Sequence, residues 1–179
     1  MRSVRIGAGA GYSGDRIEPA IELAESGALN YLVFECLAER TIALAQQARI
    51  KDPNAGYDPM LAARMQAVLP ICRANTIRIV TNMGAANPTG AAEATCVQAR
   101  RLGLTGLKIA AVTGDDVLAR LKTTDVALDT GDTMAGLGNR VVSANAYVGA
   151  RAIAEALAAG LQGGDQLTVR VLHRDLGRE

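Results

Sequence analysis

Residues 77–90 read IRIVTNMGAANPTG, and this stretch decides how the chain is laid out. Its first part, residues 77–82, is a short apolar run rich in β-branched residues, the mark of a buried strand. Asn87-Pro88-Thr89-Gly90 then has the composition of a turn that leads into a helix. A helix is therefore expected after Asn87-Pro88-Thr89-Gly90, running to Leu102-Gly103. A strand that passes through a small-residue turn into a helix is the building unit of a parallel sheet, because parallel strands need a crossover between them.

The same unit recurs on both sides. Strands are expected at residues 4–8, 31–35, 108–112, 126–129 and 141–144 as well as 77–82. Helices fill the gaps. Ile17, Ala20, Ile21 and Ala24 share one helical face while Glu18, Glu22 and Glu25 share the other. Asp15 with Glu18 can form a capping box there, with Pro19 inside the first turn. Leu37, Thr41, Leu44, Ala45 and Ala48 repeat the pattern, as do Leu61, Met65, Val68, Leu69 and Cys72 after the start signal Asp58-Pro59, with Pro70 expected to bend or end that helix. A last helix carries Ala150, Ile153, Ala154 and Leu157 and stops at Gly160. The expected fold class is α/β: a mostly parallel sheet with helices on both faces, in Rossmann-like alternation. Residues 1–160 are read as this domain. Residues 161–179 are read as a divergent tail with one candidate strand, a charged end and the chain's single histidine, His173, set outside the expected core.

The chain has 179 residues, 49% of them hydrophobic, enough for one ordinary core. Nineteen basic residues against eighteen acidic ones leave a net charge of +1, and no run of like charge makes a patch for nucleic acid or an anionic membrane. Cys36, Cys72 and Cys96 are odd in number, widely spaced and outside any C-x-x-C pairing, which suits a reducing compartment and argues against structural zinc. With no apolar run of signal-peptide or membrane-span form, the expectation is a cytoplasmic protein with a small-molecule partner, no membrane and no nucleic acid, either homo-oligomeric or paired with another subunit.

Ligands in a parallel sheet gather at the carboxyl ends of the strands, where helix N-termini present unpaired N–H groups. The polar clusters of this chain fall there. Gly9, Gly11 and Gly14 make a G-x-G-x-x-G after the first strand, and Glu35 ends the second strand about twenty residues later, where a ribose-binding acid belongs in a dinucleotide fingerprint. Asp15 and Arg16 crowd charge into the place of the pyrophosphate, so an NAD(P)-dependent oxidoreductase is the runner-up reading. Glu39 and Arg40 at a helix start are explained as well by dipole matching as by catalysis. Cys36 beside Glu35 has no neighbouring histidine to activate it, and Cys72 and Cys96 read as packing. Asp115, Asp116, Asp129 and Asp132 suit helix capping better than a cation, and no metal or cofactor is assigned.

Five of these segments, residues 7–16 (GAGAGYSGDR), 31–41 (YLVFECLAERT), 81–88 (TNMGAANP), 112–117 (VTGDDV) and 143–149 (SANAYVG), resemble in order and spacing the N-terminal domain of the acyclic terpene utilisation, AtuA-like, family. The resemblance runs from about residue 3 to 160. It implies a protein of citronellol- and geraniol-type terpenoid catabolism through CoA-linked acids, without assigning a reaction. The matching positions are Gly9, Gly11, Ser13, Gly14, Asp15, Arg16, Glu35, Cys36, Glu39, Arg40, Asn82, Asn87, Gly114, Asp115, Asp116, Asn145 and Tyr147. Taken together, a small anionic or acyl-CoA-linked metabolite is expected at the strand ends. Glycine-loop amides and Arg16 would hold its charge, Glu35 would be first in line for proton transfer, and Asn82, Asn87 and Asn145 would orient polar groups. A non-catalytic subunit, with glycines that only make turns, is the third reading. The resemblance breaks down after Gly160, where Thr168-Val169-Arg170-Val171 echoes a T-G-R-V-like motif with valine for glycine; family members continue into a longer domain, so a fragment, a truncated reading frame or a divergent short form is expected.

Overall fold

Five strands form one parallel sheet: β1 (Ile6–Ala10), β2 (Tyr31–Phe34), β3 (Arg78–Thr81), β4 (Lys108–Ala111) and β5 (Thr168–Val171), in the order β1-β2-β3-β5-β4. The computed structural model describes residues 3–124, 128–147, 149–160 and 168–171. Seven α-helices occur among them: α1 (Glu18–Glu25), α2 (Glu39–Lys51), α3 (Leu61–Ala74), α4 (Pro88–Arg101), α5 (Leu118–Leu121), α6 (Met134–Leu137) and α7 (Arg151–Gly160). The α/β class expected from the sequence is the class observed.

The core lies between β1–β3 and the helices α1, α3 and α4. Leu32 and Phe34 of β2 and Ile79 of β3 are fully buried against Ala20 and Ala24 of α1 and Leu61, Met65, Val68, Leu69 and Cys72 of α3. Each large apolar side chain so buried contributes about 1.5–3 kcal/mol. Since β1→β2→β3→β4 advances across the sheet and β5 steps back, right-handed crossovers put α1, α3 and α4 on one face and α7, which packs against β5, on the other. The reverse face of β1–β3 carries Ile6 and Ala8, both exposed, and Tyr31, Val33, Arg78 and Val80, which are half-buried. Arg78 lies over the Tyr31 ring there, 5.7 Å from its centroid.

Several local expectations change. Asp15 does not cap α1, which starts at Glu18 behind Ile17 with no side-chain cap; its carboxylate turns back to Gly11 instead. α3 runs past Pro70 to Ala74, since its neighbours hold it on the core. α4 begins on Pro88 rather than after Gly90, because Asn87 Oδ1 already accepts from Gly90 N at 3.0 Å. Residues 141–144 are not a strand: the region makes one antiparallel bridge, Asp116 with Asn145, in place of a parallel ladder. Of residues 126–129, Leu128 and Asp129 lie in a turn closed by Leu128 N to Asp132 O (2.8 Å), and 126–127 fall outside the described residues. The fifth strand comes instead from Thr168–Val171, inserted between β3 and β4. His173 lies outside the described residues.

Candidate functional site

The carboxyl ends of β1, β2 and β3 meet side by side: Glu35 N donates to Ala10 O (3.1 Å) and Asn82 N to Phe34 O (3.3 Å). Asn82 welds this rim. Its Oδ1 accepts from Cys36 N at 2.7 Å and its Nδ2 donates to Glu35 Oε1 at 2.8 Å, which also accepts from Leu37 N. Glu35 is exposed, with one carboxylate oxygen held by these two donors.

Two clefts open on either side of Asn82, which lines both. The larger, of about 700 Å³, runs between α2 and residues 52–59. Leu44, Ala45 and Ala48 of α2 line it, as do Ser13, Cys36, Asp58 and Met83. Leu44 is 52% exposed, an apolar surface facing empty space. The smaller cleft, of about 470 Å³, lies between residues 35–42 and the loop at 143–147, with Glu39, Asp115, Asn145 and Tyr147 in its lining. There Asn145 Nδ2 donates to buried Asp115 Oδ2 (3.0 Å), and the Tyr147 hydroxyl donates to Glu39 Oε1 (3.2 Å) from a ring that is 97% exposed. Gln46 of α2 reaches Asp116 Oδ2 at 3.2 Å, tying the helix to the residue that bridges Asn145, and Asp116 Oδ1 accepts from Leu118 N at the start of α5. Both sizes suit small metabolites.

The glycine loop is organised from beneath by a residue the sequence reading passed over. Arg64 of α3 is fully buried, and its Nη2 donates to the carbonyls of Tyr12 (3.4 Å), Ser13 (2.9 Å) and Asp15 (2.9 Å). Its Nη1 faces Cys36 Sγ at 3.2 Å and Asp58 Oδ2 at 3.6 Å. The signal was present in the spacing: position 64 is three residues after Leu61 and four before Val68, on the apolar face, where an arginine must be paired. With its carbonyls drawn inward, the loop turns amides outward, and Asp15 takes them: Gly11 N donates to Oδ2 (3.0 Å) and Arg16 N to Oδ1 (2.9 Å). The Gly11 bond, helped by the Arg16 amide and the Arg64 and Arg16 charges, holds the Asp15 carboxyl below its ordinary 3.8 despite some desolvation.

Of the expected site residues, Glu35, Asn82, Asp115, Asn145 and Tyr147 share the smaller cleft, and Ser13, Cys36 and Asn82 share the larger. Gly9, Gly11, Gly14, Asp15, Arg16 and Gly114 line neither, nor does Arg40, which sits exposed in the first turn of α2. Gly9 is the extra residue of a β-bulge between Ala8 and Ala10, and a Cβ there would stand 2.8 Å from the Phe34 ring, so its glycine serves packing within the sheet. Asn87 is buried and engaged: beyond capping α4, it donates from Nδ2 to Pro53 O (3.2 Å) and Ala55 O (2.9 Å), which fixes the loop bordering the larger cleft. Burial pushes the Cys36 thiol up to about 12, against the nearby Arg64 charge, so it is protonated and a poor nucleophile. Among the described residues, no group of three or more His, Cys, Asp or Glu side chains is placed to hold a metal ion, and no helix is long and apolar enough to cross a membrane.

These features define an α/β protein with a parallel sheet whose clefts sit at the strand carboxyl ends. The model of the acyclic terpene utilisation family protein AtuA matches residues 4–162, and the chain belongs to that family. Among curated proteins, a "Nucleotide-binding protein" of Mycobacterium sp. (strain KMS) is 89% identical over 28 residues, which is 16% of this chain and 9% of that protein. A second, from Mycolicibacterium smegmatis, is 86% identical over 28 residues, 16% of this chain and 10% of its own length. The match thus spans about a tenth of these relatives. No solved structure matches the chain.

Proposed function

We propose that this chain serves acyclic terpenoid catabolism by binding the aliphatic part of a metabolite in the larger cleft. One observation carries the reading: an apolar wall of Leu44, Ala45 and Ala48 stands open opposite polar groups at the ends of three parallel strands. Burying such a wall under a branched chain returns about 25 cal/mol per Å² of apolar surface, while Ser13, Thr41 and Asn82 add polar groups to the lining. An acyl-CoA would seat its acyl end here. Arg16 lines neither cleft, so the ligand's recognition rests on the cleft walls rather than on that guanidinium. Calorimetric titration with geraniol and geranate is the test. Binding that is lost in Ala48→Trp and unchanged in Arg16→Ala supports this site, and binding indifferent to Ala48→Trp places the ligand elsewhere.

A nucleotide on the glycine loop is the second reading, favoured by outward amides at Gly11 and Arg16 that already hold a carboxylate and in keeping with the name of the short-match relatives. Against it, β1 is an edge strand rather than a central one, and Asp15 occupies the nest. The reading requires Asp15→Ala to raise affinity for NAD or ATP by freeing both amides; a flat titration in wild type and variant alike removes it.

A further inference from the structure

α2 is the partition between the two clefts, and it is packed unlike its neighbours. By the period of a helix, Thr41, Leu44, Ala45 and Ala48 share one face, while Glu39, Ile42 and Gln46 share another roughly a third of a turn round. The first set lines the larger cleft, and Glu39 and Ile42 line the smaller. α1, α3 and α4 each bury apolar side chains, whereas the single buried residue of α2 is the polar Gln46; its Leu44 and Ile50 are exposed. Side-chain hydrogen bonds hold the helix instead. Towards the smaller cleft, Gln46 Nε2 donates to Asp116 Oδ2 and the Tyr147 hydroxyl to Glu39 Oε1, each at 3.2 Å and each to an exposed acceptor. At the C-terminal end Arg49 Nη1 donates to Ala86 O, and Gly56 comes so close that a Cβ there would stand 2.9 Å from Arg49 Cβ. That end is fixed by close packing; the rest of the helix leans on two polar bonds.

We propose that α2 is a moving partition that couples the clefts: an aliphatic ligand in the larger cleft draws the helix onto itself, parts Gln46 from Asp116 and Glu39 from Tyr147, and so widens the smaller cleft. The inference rests on the cleft reading above and adds regulation to it. The open apolar face of α2 gains in proportion to the area a ligand covers. Each opposing bond has an exposed acceptor that water serves once the bond parts, so its net worth is small. Helices move by such small sliding steps when ligands close a domain. Reciprocity fixes the sign: if filling the larger cleft breaks the two bonds, breaking them beforehand tightens binding there. A helix that only framed a rigid cleft has the opposite behaviour, since losing a tie loosens the frame and weakens binding.

The probe is geraniol, titrated by calorimetry against the full chain and three variants. Gln46→Ala and Tyr147→Phe, at positions that do not line the larger cleft, are each expected to bind it about three- to tenfold more tightly than wild type. Ala48→Trp is expected to abolish binding. Unchanged or weaker binding in the first two variants, with the Ala48→Trp loss intact, overturns the coupling and leaves the cleft standing. Absence of geraniol binding by wild type, or indifference to Ala48→Trp, removes the cleft reading and this inference with it. Amide exchange of the free chain adds a reading that needs no ligand: α2 should exchange faster than α1, α3 and α4, and faster again in Tyr147→Phe while those three helices stay unchanged. Exchange of α2 at the rate of the core helices overturns the proposal. Tyr147→Phe removes one oxygen from an exposed ring, so its result decides the question even where Gln46→Ala fails to fold.

Discussion

Arg64 is the residue on which the rim depends. Its guanidinium is buried without exposure and is shared between loop carbonyls, a sulfur and Asp58. Arg64→Met should destabilise the chain by about 3–5 kcal/mol, because it strands Asp58 and the carbonyls it held; the midpoint of urea unfolding measures this. Asp15 has the opposite character, a carboxylate at the surface held on loop amides. Its folded-state pKa lies below 3.8, so its contribution to stability is present above that value and is lost as pH falls further, through the lowered folded value. The stability gap between wild type and Asp15→Ala should therefore be constant from neutral pH down to about pH 5 and shrink below pH 4. The thiols offer a third check. Cys36 and Cys72, both buried and pushed up to about 12, should alkylate slowly at neutral pH, while half-buried Cys96 is modified first, as mass spectrometry of iodoacetamide-treated protein would read.

At the scale of elements, the sequence disclosed what repeats and hid what depends on distant partners. The strands β2, β3 and β4 and the apolar faces of α1 and α3 follow from local periodicity, and those strand bounds agree to within a residue. Residues 141–144 misled because a β-branched pair, Val141-Val142, looks like a strand wherever it stands, while only a neighbour with free backbone groups can make it one. Asp15 misled in the same way: a capping box is legible in four residues, but the choice to bond Gly11 instead is made by Arg64, 49 positions away. The candidate site was legible as a set of strand ends, not as two clefts, since the apolar lining that α2 supplies carries no motif. The turn that feeds β3 gives a prediction of its own. Thr76 has φ of 57°, a left-handed conformation costly for a β-branched residue. Thr76→Gly should raise stability by about 1 kcal/mol, seen as a higher thermal midpoint, and Thr76→Val should lower it.

For the whole molecule, the decisive feature is the place of β5. β3 and β4 have no ladder with each other; both pair with a strand that arrives more than fifty residues after β4 ends. A chain ending at residue 160 should keep the β1–β3 core and lose cooperative coupling to β4, visible as two unfolding transitions and fast amide exchange across β4. The order of events during biosynthesis follows as well. A nascent chain that has just released β4 from the ribosome carries two open sheet edges one strand-width apart, and each invites the wrong neighbour until residues 168–171 emerge to fill the gap. Chaperone dependence should therefore be concentrated in that interval of translation.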